Sequence, residues 1–126
     1  MSYEPTFEDV RPTIEVGDLV AALDFFRETV GMNVVVVEGE PPTFAIVGDE
    51  GAGLGLVQVD DPAIPLGAAC YVTMTGLDEL IGRFESAGLN LDVPLTVRPW
   101  GQRDVVVTVP GSGPKIAFGE RFSPRT

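Results

Sequence analysis

Histidine is absent from the 126-residue chain, and cysteine and tryptophan each occur once. Without histidine, the chain cannot build His-ligated zinc or iron sites, Ser-His-Asp or Cys-His nucleophiles, or an imidazole acid–base step. The single Cys70 excludes an internal disulfide and a CxxC pair. No apolar run is long enough to cross a bilayer, and the acidic start MSYEPTFEDV does not resemble a signal peptide. We therefore expect a cytoplasmic protein.

Basic residues are also scarce: eight Lys and Arg stand against 19 Asp and Glu, which gives a formal charge of −11. This balance argues against nucleic acid and membrane surfaces as partners, because both bind clustered cations. The excess lies in residues 1–61, where 13 acids face two bases, whereas residues 62–126 carry six of each. The acidic half is either a solvated surface that aids solubility or a field that attracts a cationic ligand.

Apolar side chains recur with a 3.6-residue period in two segments, and this predicts two amphipathic helices. The first begins after the N-cap candidate Asp18 and ends at Gly31. The second begins at Thr75 and ends at Gly88, and the pair Thr75 and Asp78 resembles a capping box. Each helix has too few apolar side chains to be stable alone, so we expect both helices to pack on a sheet.

Strand patterns precede each helix once and follow it three times. The predicted strands are 11–16, 33–38, 43–48, 53–59, 69–75, 89–97, 103–109 and 115–119. The segments 16–19 and 74–77 match 58 residues apart, which indicates an internal repeat. We predict an α+β fold in which residues 1–126 form a single domain of two βαβββ modules. The modules span 10–59 and 68–121, and 60–67 is the linker.

Short motifs along residues 10–121 make the chain resemble the vicinal oxygen chelate superfamily of glyoxalases, bleomycin-resistance proteins and extradiol dioxygenases. The motifs are VGDL at 16–19, LDFFR at 23–27, VGM at 30–32, SAG at 86–88 and WGQRD at 100–104. Each motif is weak alone, but their order and spacing are specific. The resemblance implies two βαβββ modules whose curved mixed sheets enclose a cavity.

In metal-using relatives, four strands each supply one ligand to that cavity. The resemblance places these positions near Arg11, Gly55 and Ala69 and on Ala117. A divalent site needs several oxygen or nitrogen donors, and none of the four residues is a usual ligand. The resemblance therefore implies a metal-free branch without a cofactor or catalytic residues.

Residues on the cavity side of the predicted strands and turns are the candidates for ligand binding. The predicted ligand-binding residues are Thr13, Glu15, Phe44, Tyr71, Thr73, Trp100 and Arg103. Trp100 either stacks on a planar ligand or packs as a rim anchor. Tyr71 either offers its hydroxyl to a ligand or half-buries it at the sheet edge, and Phe44 is a rim or pocket residue.

The two charged candidates each have an ordinary alternative. Glu15 either holds a ligand cation or forms a salt bridge with Arg11 or Lys115. Arg103 either binds the ligand or pairs with Asp104 or another surface acid, and we favour the pairing.

The favoured function is ligand sequestration by a metal-free small-molecule-binding protein that resembles bleomycin-resistance proteins, which would make antibiotic resistance its biological context. The expected ligand is aromatic or amphipathic, and cationic if the acidic half attracts it. By resemblance, the expected assembly is a homodimer. One alternative is a metal-dependent lyase, isomerase or oxygenase with atypical ligands, against which the missing donors argue. The second alternative is an accessory module that binds another protein.

Overall fold

The computed structural model describes residues 2–49 and 51–122, which form two four-stranded mixed sheets with helices. The first half comprises β1 (Thr13–Val16), α1 (Leu19–Asp24), a π-helical segment (Phe25–Val30), β2 (Asn33–Glu38), β3 (Phe44–Asp49) and β4 (Ala52–Gln58). The second comprises β5 (Ala68–Thr73), α2 (Leu77–Ser86), β6 (Val93–Arg98), β7 (Gln102–Thr108) and β8 (Lys115–Arg121). The strand orders are β1-β4-β3-β2 and β5-β8-β7-β6. The α+β prediction with two βαβββ units is confirmed, and the sheets are not closed into a barrel.

The first helix begins as the sequence predicts and then changes its winding. The Asp18 side chain accepts a hydrogen bond from the Ala21 N–H at 3.2 Å, which confirms it as the N-cap. From Phe25 the helix is π-helical, and the wider turn lets the consecutive Phe25 and Phe26 both be buried. Gly31 ends it at φ 91°, where its N–H donates to the Phe26 carbonyl at 3.0 Å.

The start of α2 differs from the prediction, because the Thr75–Asp78 capping box does not form. The N-cap is Gly76 at φ 86°, and its N–H donates to Glu120 Oε2 on β8 at 2.8 Å. Arg103 joins the same cluster, with Nη2 2.7 Å from Glu120 Oε1 and Nη1 3.0 Å from Asp78 Oδ1. The Arg103 hydrogen bond and then the Gly76 N–H lower the pKa of Glu120. Residues distant in the chain therefore hold this helix end.

One hydrophobic core joins the two halves on the helix side of the sheets. The rings of Phe25 and Phe84 stack at 6.0 Å between centroids, and Phe84 lies 5.9 Å from Phe118 on β8. A backbone hydrogen bond from Gly17 N–H to the Gly111 carbonyl, 2.9 Å long, also connects the halves. Because large buried side chains contribute about 1.5–3 kcal/mol each, we expect neither half to be stable without the other.

Strand register leaves the other face of each sheet without a covering layer of helices. On β1, Ile14 and Val16 are buried in the core, whereas Thr13 is exposed and Glu15 is half-buried on the opposite face. Thr13 is the register partner of Gly55 on β4. β1 thus shows the alternation of buried and open side chains that is typical of a strand with one face in the core. Within the described part of the chain, no helix is long and apolar enough to cross a bilayer.

Candidate functional site

Tyr71 crosses the second sheet on the face away from the helices. Its hydroxyl donates a hydrogen bond to Asp104 Oδ2 at 3.0 Å. To reach that oxygen the ring passes over Gly119, where an added Cβ would lie 2.5 Å from Cζ and 2.7 Å from Cε1 of Tyr71. Burial, and then the hydrogen bond to Asp104, raise the pKa of Tyr71 to about 12. The phenol therefore keeps its proton at neutral pH.

Asp104 links Tyr71 to the only tryptophan. It is 2% exposed and is the one buried charged residue of the described chain. Arg98 donates to Asp104 Oδ1 from Nε at 3.1 Å and approaches it with Nη2 at 3.0 Å. The Arg98 guanidinium carbon also lies 5.8 Å from the Trp100 ring centroid, within cation–π range. A continuous row of side-chain contacts thus runs from Tyr71 through the Asp104–Arg98 ion pair to Trp100. The Trp100 ring is exposed to solvent.

The structure brings three predicted site residues to this face of the second sheet. Tyr71 is 42% exposed and Trp100 is 65% exposed, so both rings keep area for a ligand. Thr73, two residues after Tyr71 on β5, accepts a hydrogen bond at 3.4 Å from Gln102 Nε2. We call the surface formed by Tyr71, Thr73, Arg98 and Trp100 the aromatic face.

Three other predicted residues lie on the first sheet, apart from the aromatic face. The Thr13 side chain covers Gly55, with its Oγ1 2.8 Å from the place of an added Cβ. Glu15 Oε1 accepts the Ala63 N–H at 2.7 Å, so its partner is the 60–67 segment rather than Arg11 or Lys115. Phe44 is half-buried on β3.

Arg103 precedes Asp104 on β7, and successive residues of a strand face opposite sides of a sheet. Because Asp104 lies on the aromatic face, Arg103 points to the helix side. There it pairs with the surface acids Asp78 and Glu120, as the favoured alternative predicted. Its neighbour Asp104 pairs with Arg98 instead. The sequence reasoning missed both Arg98 and Asp104. A hairpin register in which Arg98 opposes Gln102 would have placed these two side chains on one face.

Two of the cavities found among the described residues lie on sheet faces away from the core. One, of about 450 Å³, lies on the first sheet between the segment before β1 and the strands β2 to β4. The other, of about 340 Å³, is lined by Thr13, Glu15, Ala63 and Ala69 and therefore touches both halves. The first has the larger volume, and Arg11 and Asp49 line it.

The residues at the four expected metal positions do not fit a metal ion. Arg11 carries a positive charge, and Gly55 and the two alanines offer no donor side chain. Thr13 fills the space beside Gly55, and Ala117 is 5% exposed opposite Tyr71 in the register. Within residues 2–49 and 51–122, no three Cys, Asp or Glu side chains form a group that could hold a metal.

The paired βαβββ units with open, uncovered sheet faces define a class of cavity-forming proteins. Residues 10–118 match the model of the Glyoxalase/Bleomycin resistance protein/Dioxygenase superfamily. The chain belongs to this superfamily, and the resemblance seen in its motifs is confirmed. A comparison with curated proteins found no match.

Solved structures share the fold over nearly the whole chain. TnmS3, an antibiotic-binding protein from Streptomyces sp. CB03234, is 24% identical, with 94% of this chain and 99% of that chain covered and a TM-score of 0.70. A superfamily member from Sphaerobacter thermophilus is 25% identical, with 92% and 98% covered and a TM-score of 0.70. Lactoylglutathione lyase from Agrobacterium tumefaciens is 18% identical, with 92% and 95% covered and a TM-score of 0.70. Binding proteins and enzymes thus share this fold, so function must be argued from the site.

Proposed function

We propose that this chain is a metal-free small-molecule-binding protein that sequesters an aromatic or amphipathic ligand on the aromatic face. One observation carries the proposal: two exposed aromatic rings flank an arginine that a buried carboxylate holds in place. The Asp104 contacts fix the Arg98 head group, so little conformational entropy is lost when a ligand meets it. Trp100 and Tyr71 then supply flat apolar area on either side.

The protonation states of this face favour binding over catalysis. Tyr71, with a pKa of about 12, remains a hydrogen-bond donor at neutral pH and is a poor general base. The Arg98 guanidinium is charged at neutral pH as every arginine is, and the hydrogen bond to Asp104 raises its pKa further. Neither group gains or loses a proton near neutral pH. On this proposal the face orients a ligand and leaves its bonds intact.

The similarity to the antibiotic-binding TnmS3 supports the same reading, since that protein and this chain share the fold over nearly their full lengths. We propose an antibiotic-like aromatic compound as the natural ligand class. We also propose a two-fold homodimer, because the open sheet faces leave apolar side chains such as Val35 at 59% exposure.

Trp100 allows a direct test, because its emission is the only indole signal of the chain. The probes are para-tert-butylbenzylamine and para-tert-butylbenzamide, a cation and a neutral compound with the same aromatic body. We expect saturable changes in Trp100 emission and a higher Tm with at least one probe. Stacking contributes about 0.5–1.5 kcal/mol, so Trp100→Ala should raise Kd by roughly two- to tenfold in calorimetry.

The matched control is Val20→Ala, which removes an exposed apolar side chain from α1 on the other side of the sheets. It should leave Kd unchanged. If both probes leave emission and Tm unchanged, the proposal fails. If a probe binds equally to wild type and Trp100→Ala, the ligand site lies elsewhere on the molecule.

A further inference from the structure

We infer that the ligand of the aromatic face is an aromatic acid, and that Arg98 and Arg121 bind its carboxylate. The inference rests on the proposed function, because it names the charge of the ligand bound at that same face. It runs against the net charge of −11, which taken alone favours a cationic ligand. The charges nearest to the ligand count most, because electrostatic attraction weakens with distance and is screened by salt.

Strand register places a second arginine on the aromatic face. Gln102 on β7 is the register partner of Arg98 on β6 and of Arg121 on β8. Directly opposed residues of neighbouring strands project from the same face of a sheet, so these three side chains form a row across the end of the sheet. Gln102 Nε2 donates to Thr73 Oγ1 at 3.4 Å, which places the row on the aromatic face. We call Arg98, Gln102 and Arg121 the arginine row.

Arg98 keeps a donor for a ligand. Its Nε lies 3.1 and 3.2 Å from the two carboxylate oxygens of Asp104, and its Nη2 lies 3.0 Å from Oδ1. Within residues 2–49 and 51–122, none of its side-chain hydrogen bonds or ion pairs uses Nη1. The Arg98 side chain is 32% exposed whereas Asp104 is buried, so a ligand meets the guanidinium and not the carboxylate.

Arg121 adds a second positive charge to the arginine row. Its side chain is exposed, and no ion pair between described residues involves it. The other acids of the second half lie away from this end of the sheet. Three of them belong to α2, and Glu120 pairs with Arg103 on the helix side. Asp92 accepts a hydrogen bond from Thr108 at 2.7 Å, at the far end of β7. Two arginines therefore stand against one carboxylate, which leaves the row positive.

An aromatic acid fits this arrangement better than a neutral or cationic compound does. Guanidinium groups bind carboxylates through parallel N–H donors. The exposed rings of Trp100 and Tyr71 supply area for the aromatic body. An ammonium group in the same place would be repelled by both arginines. The arginine row therefore receives the carboxylate, and the two rings receive the aromatic body.

The test adds para-tert-butylbenzoate, which carries a carboxylate on the same aromatic body, to the benzamide and the benzylamine. The three Kd values are measured by calorimetry with the full chain. We expect the benzoate to bind roughly tenfold tighter than the benzamide, in line with one hydrogen bond to a charged group. The benzylamine should still bind through its aromatic body, but less tightly than the benzamide. Added NaCl should weaken binding of the benzoate and leave that of the benzamide unchanged, because salt screens the charges.

Two substitutions then locate the carboxylate. Arg121→Gln should weaken binding of the benzoate severalfold and leave that of the benzamide unchanged. Arg98→Lys keeps a positive charge beside the buried Asp104 but lacks the planar fork of donors, so it should have the same effect. Arg27→Gln removes one positive charge from the surface of the first helix and is the matched control, which should change neither Kd. The Tm of each variant reports whether it is folded.

The outcomes separate this inference from the proposed function. If none of the three probes binds, the proposed function fails and the inference fails with it. If the benzamide or the benzylamine binds as tightly as the benzoate, the inference is overturned and the proposed function stands. Equal effects of Arg121→Gln and Arg27→Gln on the benzoate would indicate a general effect of net charge and would also overturn the inference.

Discussion

The position of the Tyr71 ring over Gly119 can be tested by adding a single methyl group at residue 119. In Gly119→Ala the new Cβ would overlap the Tyr71 hydroxyl and lie 2.5 Å from its Cζ, closer than such atoms approach in proteins. The ring must leave its position, and the hydrogen bond to Asp104 is lost. Asp104 is 2% exposed, and its Oδ2 then keeps only the longer hydrogen bond from Arg98 Nε at 3.2 Å, so a buried carboxylate loses one of its donors.

A hydrogen bond to a charged group contributes about 1.5–3 kcal/mol. At roughly 4 °C per kcal/mol for a chain of this size, Gly119→Ala should lower Tm by about 6–12 °C, measured by circular dichroism. The pKa of Tyr71 should also fall from about 12 toward its ordinary value of 10.0, since both burial and the Asp104 contact are reduced. An alkaline spectrophotometric titration measures this second effect.

Gly82→Ala is the matched control. An added Cβ at Gly82 meets nothing within 4 Å, and the residue lies inside α2. Alanine is favoured over glycine in helices by about 1 kcal/mol, so this variant should be as stable as the wild type or more so. In a Tyr71→Ala background, Gly119→Ala should cost little, because the overlapping ring is gone. Equal Tm values for Gly119→Ala and wild type would refute this position of the Tyr71 ring over Gly119.

Three further predictions concern the whole chain. The raised pKa of Tyr71 adds stability that is complete below about pH 10 and is lost as the pH rises through about 12. In chemical denaturation, the wild type should therefore lose more stability over that pH range than Tyr71→Phe. The lowered pKa of Glu120 adds stability above its ordinary value of 4.5 that disappears as the pH falls below it, and Glu120→Gln should remove this dependence whereas the exposed Glu85→Gln should not. Light scattering should give twice the 13.4 kDa chain mass, and a monomer would contradict the proposed dimer.

The order of helices and strands was predictable because it depends on local patterns. Strand alternation and the 3.6-residue helix period are visible in sequence, and Asp18 and Gly31 act at the helix ends as their residue types suggest. The π-helical segment was not predictable in the same way. It adds a residue to the turn so that Phe25 is buried beside Phe26, and the reason is the stacking of Phe25 on Phe84 in the other half.

The site was predictable only in part, for a physical reason. Tyr71 and Trp100 could be proposed from the sequence because aromatic residues in strands and turns are distinctive, and their role in ligand binding stays a prediction. Arg98 and Asp104 were missed because their contact depends on the register of the β6–β7 hairpin, which a single sequence does not specify. The predicted cap of the second helix was wrong for a similar reason, since Gly76 is held by Glu120 from a strand 44 residues away.

The indole N–H resonance of Trp100 gives the most direct measurement of metal-free binding at the aromatic face. In a ¹H–¹⁵N titration with para-tert-butylbenzylamine, this single resonance should shift in a saturable way, with the same Kd before and after treatment with a chelator. Metal analysis of the same sample should find no stoichiometric zinc, nickel, iron or manganese. Binding that disappears on chelation, or an indole resonance that stays in place while the probe binds, would contradict the proposed function.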